Sequence, residues 1–314
     1  MIFSFLFSGA LWFYLELAFF VIGLAIFGCQ FYFRVLTVRK AIVWFLALYC
    51  APILTVAAWT FIGRPFFRRR IPTHRGEDTA SVDAAIAADP DNTDLRIARS
   101  LSVGGALKYS ADSSARYIGT GSEFFDSVNA DIENATESIY IECYIIRRDE
   151  MSRNFVDLLC RKASEGVRVM IMFDDYGYDG GTKGYIRKLN KAGVETAVFH
   201  NMSRYILSPV KNVRNHRKTF VIDGRVAYQG GYNVGDEYLG KGKFGEWRDA
   251  AVKVTGPQVI QFMRMFADDW EYAAKHSAEI TYPENIEPAG TMGMQVIPGD
   301  PVYPDENAVG AQML

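Results

Sequence analysis

Two long apolar runs at the N-terminus constrain this chain more than any other feature. Met1–Phe33 contains one charged residue, Glu16, and Ala41–Ile62 contains none. Each run exceeds the roughly 20 residues that a helix needs to cross the hydrocarbon core of a bilayer. A cleaved signal peptide opens on a basic segment and has a shorter apolar core, and Met1–Phe33 has neither property. Residues 1–62 are therefore expected to form a two-helix transmembrane hairpin turned by Arg34–Lys40. That loop carries Arg34, Arg39 and Lys40, while the segment after the second run carries Arg64, Arg68, Arg69, Arg70 and Arg75. The excess of basic residues favours the second flank inside, which places the rest of the chain in the cytoplasm. The same arginines can rest on anionic headgroups. Glu16 is either a functional group in an apolar environment or a carboxylate near a helix end.

The remainder reads as a different material. Residues 63–100 are expected to be a linker, because Thr73–Asp94 is rich in Ala, Asp and Thr and has no aromatic residue. Beyond Leu101 helical and strand patterns alternate. Phe124, Val128 and Ile132 recur every four residues within Gly121–Ala135, which predicts an amphipathic helix. Further helices are expected over Asn154–Glu165, Thr182–Ala192 and Pro257–His276. Strands are expected over Ser138–Ile146, Val167–Phe173, Val194–Phe199, Thr219–Ile222 and Val226–Gln229, the last two joined across Asp223-Gly224. Such alternation implies an α/β sandwich, and more than 200 residues suffice for a substantial core.

Charge excludes one large class of function. Residues 101–314 hold twenty-four cations and twenty-nine anions, unlike the broad basic face of a nucleic-acid binder. Within that acidic domain Arg204, Lys211, Arg214, Arg217 and Lys218 fall inside fifteen residues that include no acid. This run is either a solvated basic loop or a steering patch for phosphate. The four cysteines, Cys29, Cys50, Cys143 and Cys160, show no metal spacing and read as buried small residues of a reducing compartment. His74 and His276 sit in charged text and are expected to face solvent, and His200 reads as a loop histidine. No glycine-rich nucleotide loop or His/Asp cluster is present, so no metal or organic cofactor is expected.

The basic run ends in the segment with the most chemical content. Asn215–Asp223 followed by Gly230-Gly231-Tyr232-Asn233 spells H-x-K-x4-D-x6-G-G-x-N. His216 and Lys218 are two apart, so on an extended segment their side chains leave the same face. An imidazole beside a fixed ammonium suits a phosphate: the ring nitrogen can attack phosphorus while the ammonium holds non-bridging oxygens. Asp223 is a candidate for orienting the imidazole or balancing its charge. Asn233 is a candidate amide donor to the same phosphate, with Gly230 and Gly231 allowing close backbone approach. Glu142 and Asp174 or Asp175 end strands near this point and either orient site groups or cap turns.

This pattern resembles the signature of the phospholipase D superfamily. The longer run through Asp236–Gly240 and Trp247-Arg248-Asp249, together with Ile139–Ile145 and the N-terminal hairpin, resembles bacterial cardiolipin synthases. Many superfamily members carry serine at the position of Gly231, and cardiolipin synthases usually carry glycine there. The resemblance implies a phospholipase D-like half-domain over residues 101–285. It makes His216, Lys218 and Asp223 the catalytic set, with Asn233, Gly231, Arg217 and Glu142 about the substrate. It implies phosphatidyl transfer through a phosphohistidine, from one phosphatidylglycerol to another, at the bacterial inner membrane, giving cardiolipin and glycerol.

The family carries two such motifs, and this sequence has one. Residues 286–314, through Gly293–Pro301, resemble the opening of a second half. Three readings follow: a truncated half that binds anionic lipid or a partner, a homodimer with two copies of His216, or a half completed by another chain. A single-motif homodimeric phosphodiesterase is the alternative enzyme.

Overall fold

The computed structural model describes residues 9–32, 38–59, 79–103, 106–175, 177, 182–199, 214–243 and 245–298, with backbone only at 9–11, 29–32, 38–41 and 182. His74, His200, Arg204, Lys211, the arginines at 34, 64, 68–70 and 75 and the side chains of Cys29, Arg39 and Lys40 lie outside the described residues. Two compact units make up the chain.

The first unit is helical. Helix α1 spans Gly9–Tyr32, α2 spans Val38–Cys50 and α3 spans Pro52–Ala58. Phe27, Leu48 and Trp59 form its buried centre, with Phe20, Trp44, Phe45 and Val56 packed around them. The second apolar run is not one continuous helix. Ala51 takes φ −153° and ψ 76° ahead of Pro52, the first residue of α3. A proline bars the α-conformation at the residue before it and removes an N–H, so the run breaks there. Among the described residues, no helix is long and apolar enough to cross a membrane.

The second unit is built on one eight-stranded sheet in the order β4-β3-β2-β5-β6-β7-β1-β8. Its strands are β1 (Ser110–Ile118), β2 (Ser138–Cys143), β3 (Arg168–Asp174), β4 (Glu195–Phe199), β5 (Thr219–Ile222), β6 (Val226–Gly230), β7 (Ala251–Thr255) and β8 (Met292–Met294). β2, β3 and β4 are parallel, connected through α7 (Glu150–Ser164) and α8 (Thr182–Lys191). β5 then enters beside β2 in the antiparallel sense, and β6, β7, β1 and β8 continue antiparallel. This is the α/β fold that the alternation of patterns implies.

The core lies on both faces. On one, α6 (Gly121–Glu133) and α7 bury Phe124, Phe125, Val128, Phe155 and Leu159 against Ile139, Ile141 and Phe220. Thr120 caps α6 by accepting from the Glu123 amide at 3.3 Å. On the other face lies α9 (Val259–Ala274), whose Phe266 stacks on Tyr140 at 5.3 Å between ring centroids.

Four parts of the unit differ from the sequence expectation, one of them β7, which the residue pattern did not announce. The linker holds a helical pair, α4 (Ala80–Ala88) and α5 (Thr93–Val103), packed through Val82, Leu95 and Ala98. Alanine carries the helix propensity there, and a few aliphatic side chains suffice to close two short helices on each other. Strand β1 went unforeseen because its sequence, Ser-Ala-Asp-Ser-Ser-Ala-Arg-Tyr-Ile, buries only Ser113 and Ile118. Met292–Met294, within the stretch expected to open a second half, pairs with β1 as an edge strand of this sheet.

Candidate active site

Strand β5 and the residues leading into it form the axis of the site. Phe220 packs against Phe124 at 5.5 Å and Phe155 at 6.1 Å, which fixes one face of the strand toward α6 and α7. His216 and Lys218 fall on the same alternation as Phe220, and Asn215 and Arg217 on the opposite one. Their partners agree with that division.

On the first face the Tyr144 ring, just past the end of β2, lies 4.6 Å from the His216 imidazole, tilted by 60°. The Lys218 ammonium sits 5.2 Å from the same ring centroid and donates to the His216 carbonyl oxygen at 2.6 Å. Lys218 is buried while His216 is exposed. Burial lowers the His216 pKa below the ordinary imidazole value, the Lys218 charge lowers it further, and the Asp249 carboxylate pulls the other way. Burial likewise brings Lys218 down to about 8, opposed by Cys143, Asp249 and Asp174. At neutral pH the arrangement therefore holds a neutral imidazole, with a nitrogen lone pair available, beside a lysine that still carries most of its charge. A nucleophile next to a fixed cation is what attack on a phosphodiester requires.

The opposite face carries structure-bearing contacts. The Arg217 guanidinium pairs with Asp269 on α9. The Asn215 amide group donates to Asp269 at 3.3 Å and Glu142 at 3.5 Å, and its backbone N–H donates to Asp174 at 2.9 Å. Arg217 and Glu142 thus bond away from the His216–Lys218 face, because residue 217 is one step out of phase with 216 and 218. Arg217 nonetheless lines, with His216, the cleft described below.

Asp223 also has a different position from the one expected. Five residues of extended chain separate it from Lys218, about 16 Å at about 3.3 Å per residue. Its carboxylate accepts from the backbone N–H groups of Thr136 (2.9 Å), Glu137 (2.8 Å) and Ser138 (2.8 Å), and from the Thr136 hydroxyl at 3.3 Å. It therefore ties the β5–β6 turn to the start of β2 and does not reach the imidazole.

Asn233 makes protein contacts as well. Its Oδ1 accepts from the Ile145 N–H at 3.0 Å, and its Nδ2 donates to the Tyr238 hydroxyl at 3.0 Å. The Ile145 bond anchors the segment that presents Tyr144. Gly231 leaves room for the Asp249 carboxylate: a Cβ there would meet Asp249 Oδ1 at 1.9 Å. Asp249 is the site residue that motif spacing missed; its signal was the acid in Trp247-Arg248-Asp249. Tyr144 was missed because an aromatic residue at a strand end reads as core.

A cleft of about 750 Å3 opens on the α9 side of His216 and Arg217, with Val252, Val254, Phe262, Met265 and Met294 on its walls. A cationic end and an apolar body fit an amphiphile that carries a phosphate.

Comparison with known proteins agrees with this geometry. The family model "Cardiolipin synthase, PLD-like domain" matches residues 128–270. A cardiolipin synthase of Oceanobacillus iheyensis is 40% identical over 185 residues, covering 58% of this chain and 38% of its own length. One from Staphylococcus aureus is 33% identical over 276 residues, covering 82% of this chain and 56% of its own. The major cardiolipin synthase of Bacillus subtilis is 31% identical over 278 residues, covering 82% and 57% respectively. This chain thus spans at most a little over half the length of those relatives. The matched segment runs from within α6 to within α9 and includes His216, Lys218, Tyr144, Asp174, Asp249 and Asp269, and the chain belongs to the phospholipase D-like family of cardiolipin synthases.

Proposed function

We propose that this chain is a phosphatidyltransferase of the cardiolipin synthase type. The observation that carries the reading is a neutral His216 held beside the buried Lys218 ammonium, in a member of this family. His216 attacks the phosphorus of one phosphatidylglycerol, the bond from phosphorus to the headgroup oxygen breaks, and glycerol leaves with a proton. A hydroxyl of a second phosphatidylglycerol then attacks the phosphohistidine. The P–N bond breaks, His216 is regenerated and cardiolipin is released. Lys218 stabilises the non-bridging oxygens in both steps. The proton given to the leaving glycerol and taken from the incoming hydroxyl needs a second acid–base group. We assign that group to a second histidine, supplied by the His216 of a second copy or by the other half of the fold.

Both substrates reside in a bilayer, and the two apolar runs within residues 1–62 supply the anchor. We place them as a transmembrane hairpin in the bacterial inner membrane, with the α/β unit on the cytoplasmic side. The basic excess after residue 62 supports that orientation.

The test reconstitutes the 314-residue chain in phosphatidylglycerol vesicles and quantifies lipids by mass spectrometry, with His216→Ala in parallel. Cardiolipin that disappears in the variant is the expected result. Phosphatidic acid instead would make the chain a hydrolase. No product from either protein would overturn the reading for this chain acting by itself.

A further inference from the structure

The segment that carries His216 meets the sheet only at its end, where the Gly230 N–H donates to the Lys218 carbonyl at 3.3 Å. The ladder between β2 and β5 begins at Glu142↔Thr219, so Arg214–Lys218 lies beyond the last paired residue. Side chains do the work that strand pairing does elsewhere. Asp174 Oδ2 accepts from the Asn215 N–H at 2.9 Å, and Asp174 Oδ1 is 3.6 Å from Arg214 Nη1. Asn215 Oδ1 accepts from the Arg217 N–H at 2.9 Å. Asp269 receives both the Asn215 amide and the Arg217 guanidinium.

Three elements therefore each bring a carboxylate to this one stretch: Glu142 from the end of β2, Asp174 from the end of β3 and Asp269 from α9. They are 1%, 1% and 3% exposed. Burying charges is costly even when they are paired, and apolar residues of similar volume would often fold as stably. Stability alone thus gives weak grounds for such a cluster. Its geometry gives better ones, because every contact named above ends on the backbone or the side chains of Arg214, Asn215 and Arg217, the residues around His216.

We propose that Asp269 is a positioning residue for the nucleophile, clamping Asn215 and Arg217 from behind so that His216 and Lys218 face the phosphate. The inference rests on the reading of His216 as nucleophile. Asp269 acts through the two residues that bracket His216. A misplacement of about 1 Å costs on the order of 100-fold in rate, which sets the expected effect.

The test compares Asp269→Asn with the double variant Arg217→Met/Asp269→Leu in the full chain. Two readouts are taken: turnover in phosphatidylglycerol vesicles and the NMR signals of the His216 ring. The chain has four histidines, so His216→Ala assigns that ring directly. Asp269→Asn is expected to lower kcat about 100-fold with KM within about threefold. The double variant removes both partners of the Arg217–Asp269 pair, leaving neither charge stranded, and should unfold no more easily than wild type. Its kcat should stay low, and its His216 signals should shift or broaden.

Near-wild-type kcat and unmoved His216 signals in the double variant would overturn the proposal, leaving the cluster a stabilising device. Should wild type itself show no turnover, the proposed function fails. The ring signals then decide the clamp independently, unmoved signals in both variants sinking it and displaced ones supporting it.

Discussion

The two ends of β5 carry one sequence motif and do opposite kinds of work. At the entry end, His216 and Lys218 are partly desolvated beside Tyr144, and their proton affinities are lowered in step. At the exit end, Asp223 sits at φ 50° next to Gly224 at φ 60°, and its carboxylate is saturated by donors from residues 136–138. A four-residue strand keeps the ends apart. Spacing along a sequence is therefore not adjacency in space: the residues of a motif can be preserved together because they serve one strand, half of them chemically and half structurally.

The comparison breaks most visibly at the nucleophile. His216→Ala should remove turnover by at least about 1,000-fold while leaving the thermal unfolding midpoint within a few degrees, since the imidazole is exposed. Calorimetry and the vesicle assay together check it. A large fall in stability would show that the entry end is also architectural.

Asp223→Ala should do the reverse. Four donors around Thr136–Ser138 lose their acceptor, a cost of about 2 kcal/mol. For a domain of this size that lowers the unfolding midpoint by several degrees. The folded fraction should retain kcat within about threefold. A loss of 100-fold or more in fully folded protein would return Asp223 to the chemistry.

The entry end should also be legible in pH. Nucleophilic attack needs His216 neutral, so the rate rises with pH through a value below the usual imidazole range. Charge stabilisation needs Lys218 protonated, so the rate falls as pH passes about 8. A bell-shaped profile results. Lys218→Arg keeps a cation at all working pH values and should abolish the alkaline limb, whatever it does to the maximum. Persistence of that limb in the variant would assign it to another group.

How much of this was visible beforehand follows from which forces act locally. Periodicity located α6, α7, α8 and α9 and the strands β2 to β6, because each buries a face whose spacing is written in consecutive residues. It missed β1, where two buried side chains in nine residues leave no pattern. It read residues 80–103 as a tether because pairing of two short helices depends on Val82 meeting Leu95 and Ala98 across a turn. Within the site, the motif gave His216 and Lys218 through a rule of alternation. The same rule places Arg217 on the other face, had it been applied one residue further. Asp269 had a local signal as well: a carboxylate on the face of α9 otherwise defined by Phe262, Met265 and Phe266. Asp249 had only the acid of Trp247-Arg248-Asp249, and Tyr144 had none, since its role arises from how β2 and β5 lie side by side.

The smallest expected effect is the one that tests how finely the entry end is tuned. Gly231 leaves room for Asp249, and a Cβ at that position would meet the carboxylate oxygens at 1.9 and 2.3 Å. Gly231→Ala must therefore swing the Asp249 side chain, which is exposed and gives up one hydrogen bond, from the Ala250 N–H at 2.8 Å, in rotating outward. Asp249 raises the proton affinity of His216, against the lowering by burial and by Lys218. Displacing it should let the imidazole pKa fall further, so the acid limb of the kcat profile moves to lower pH. The plateau should change by no more than about threefold, because neither the nucleophile nor the cation has moved. The direction matters more than the size. A limb that moves to higher pH would mean that the new methyl group has opened His216 to water, and that packing, not the Asp249 charge, governs the imidazole.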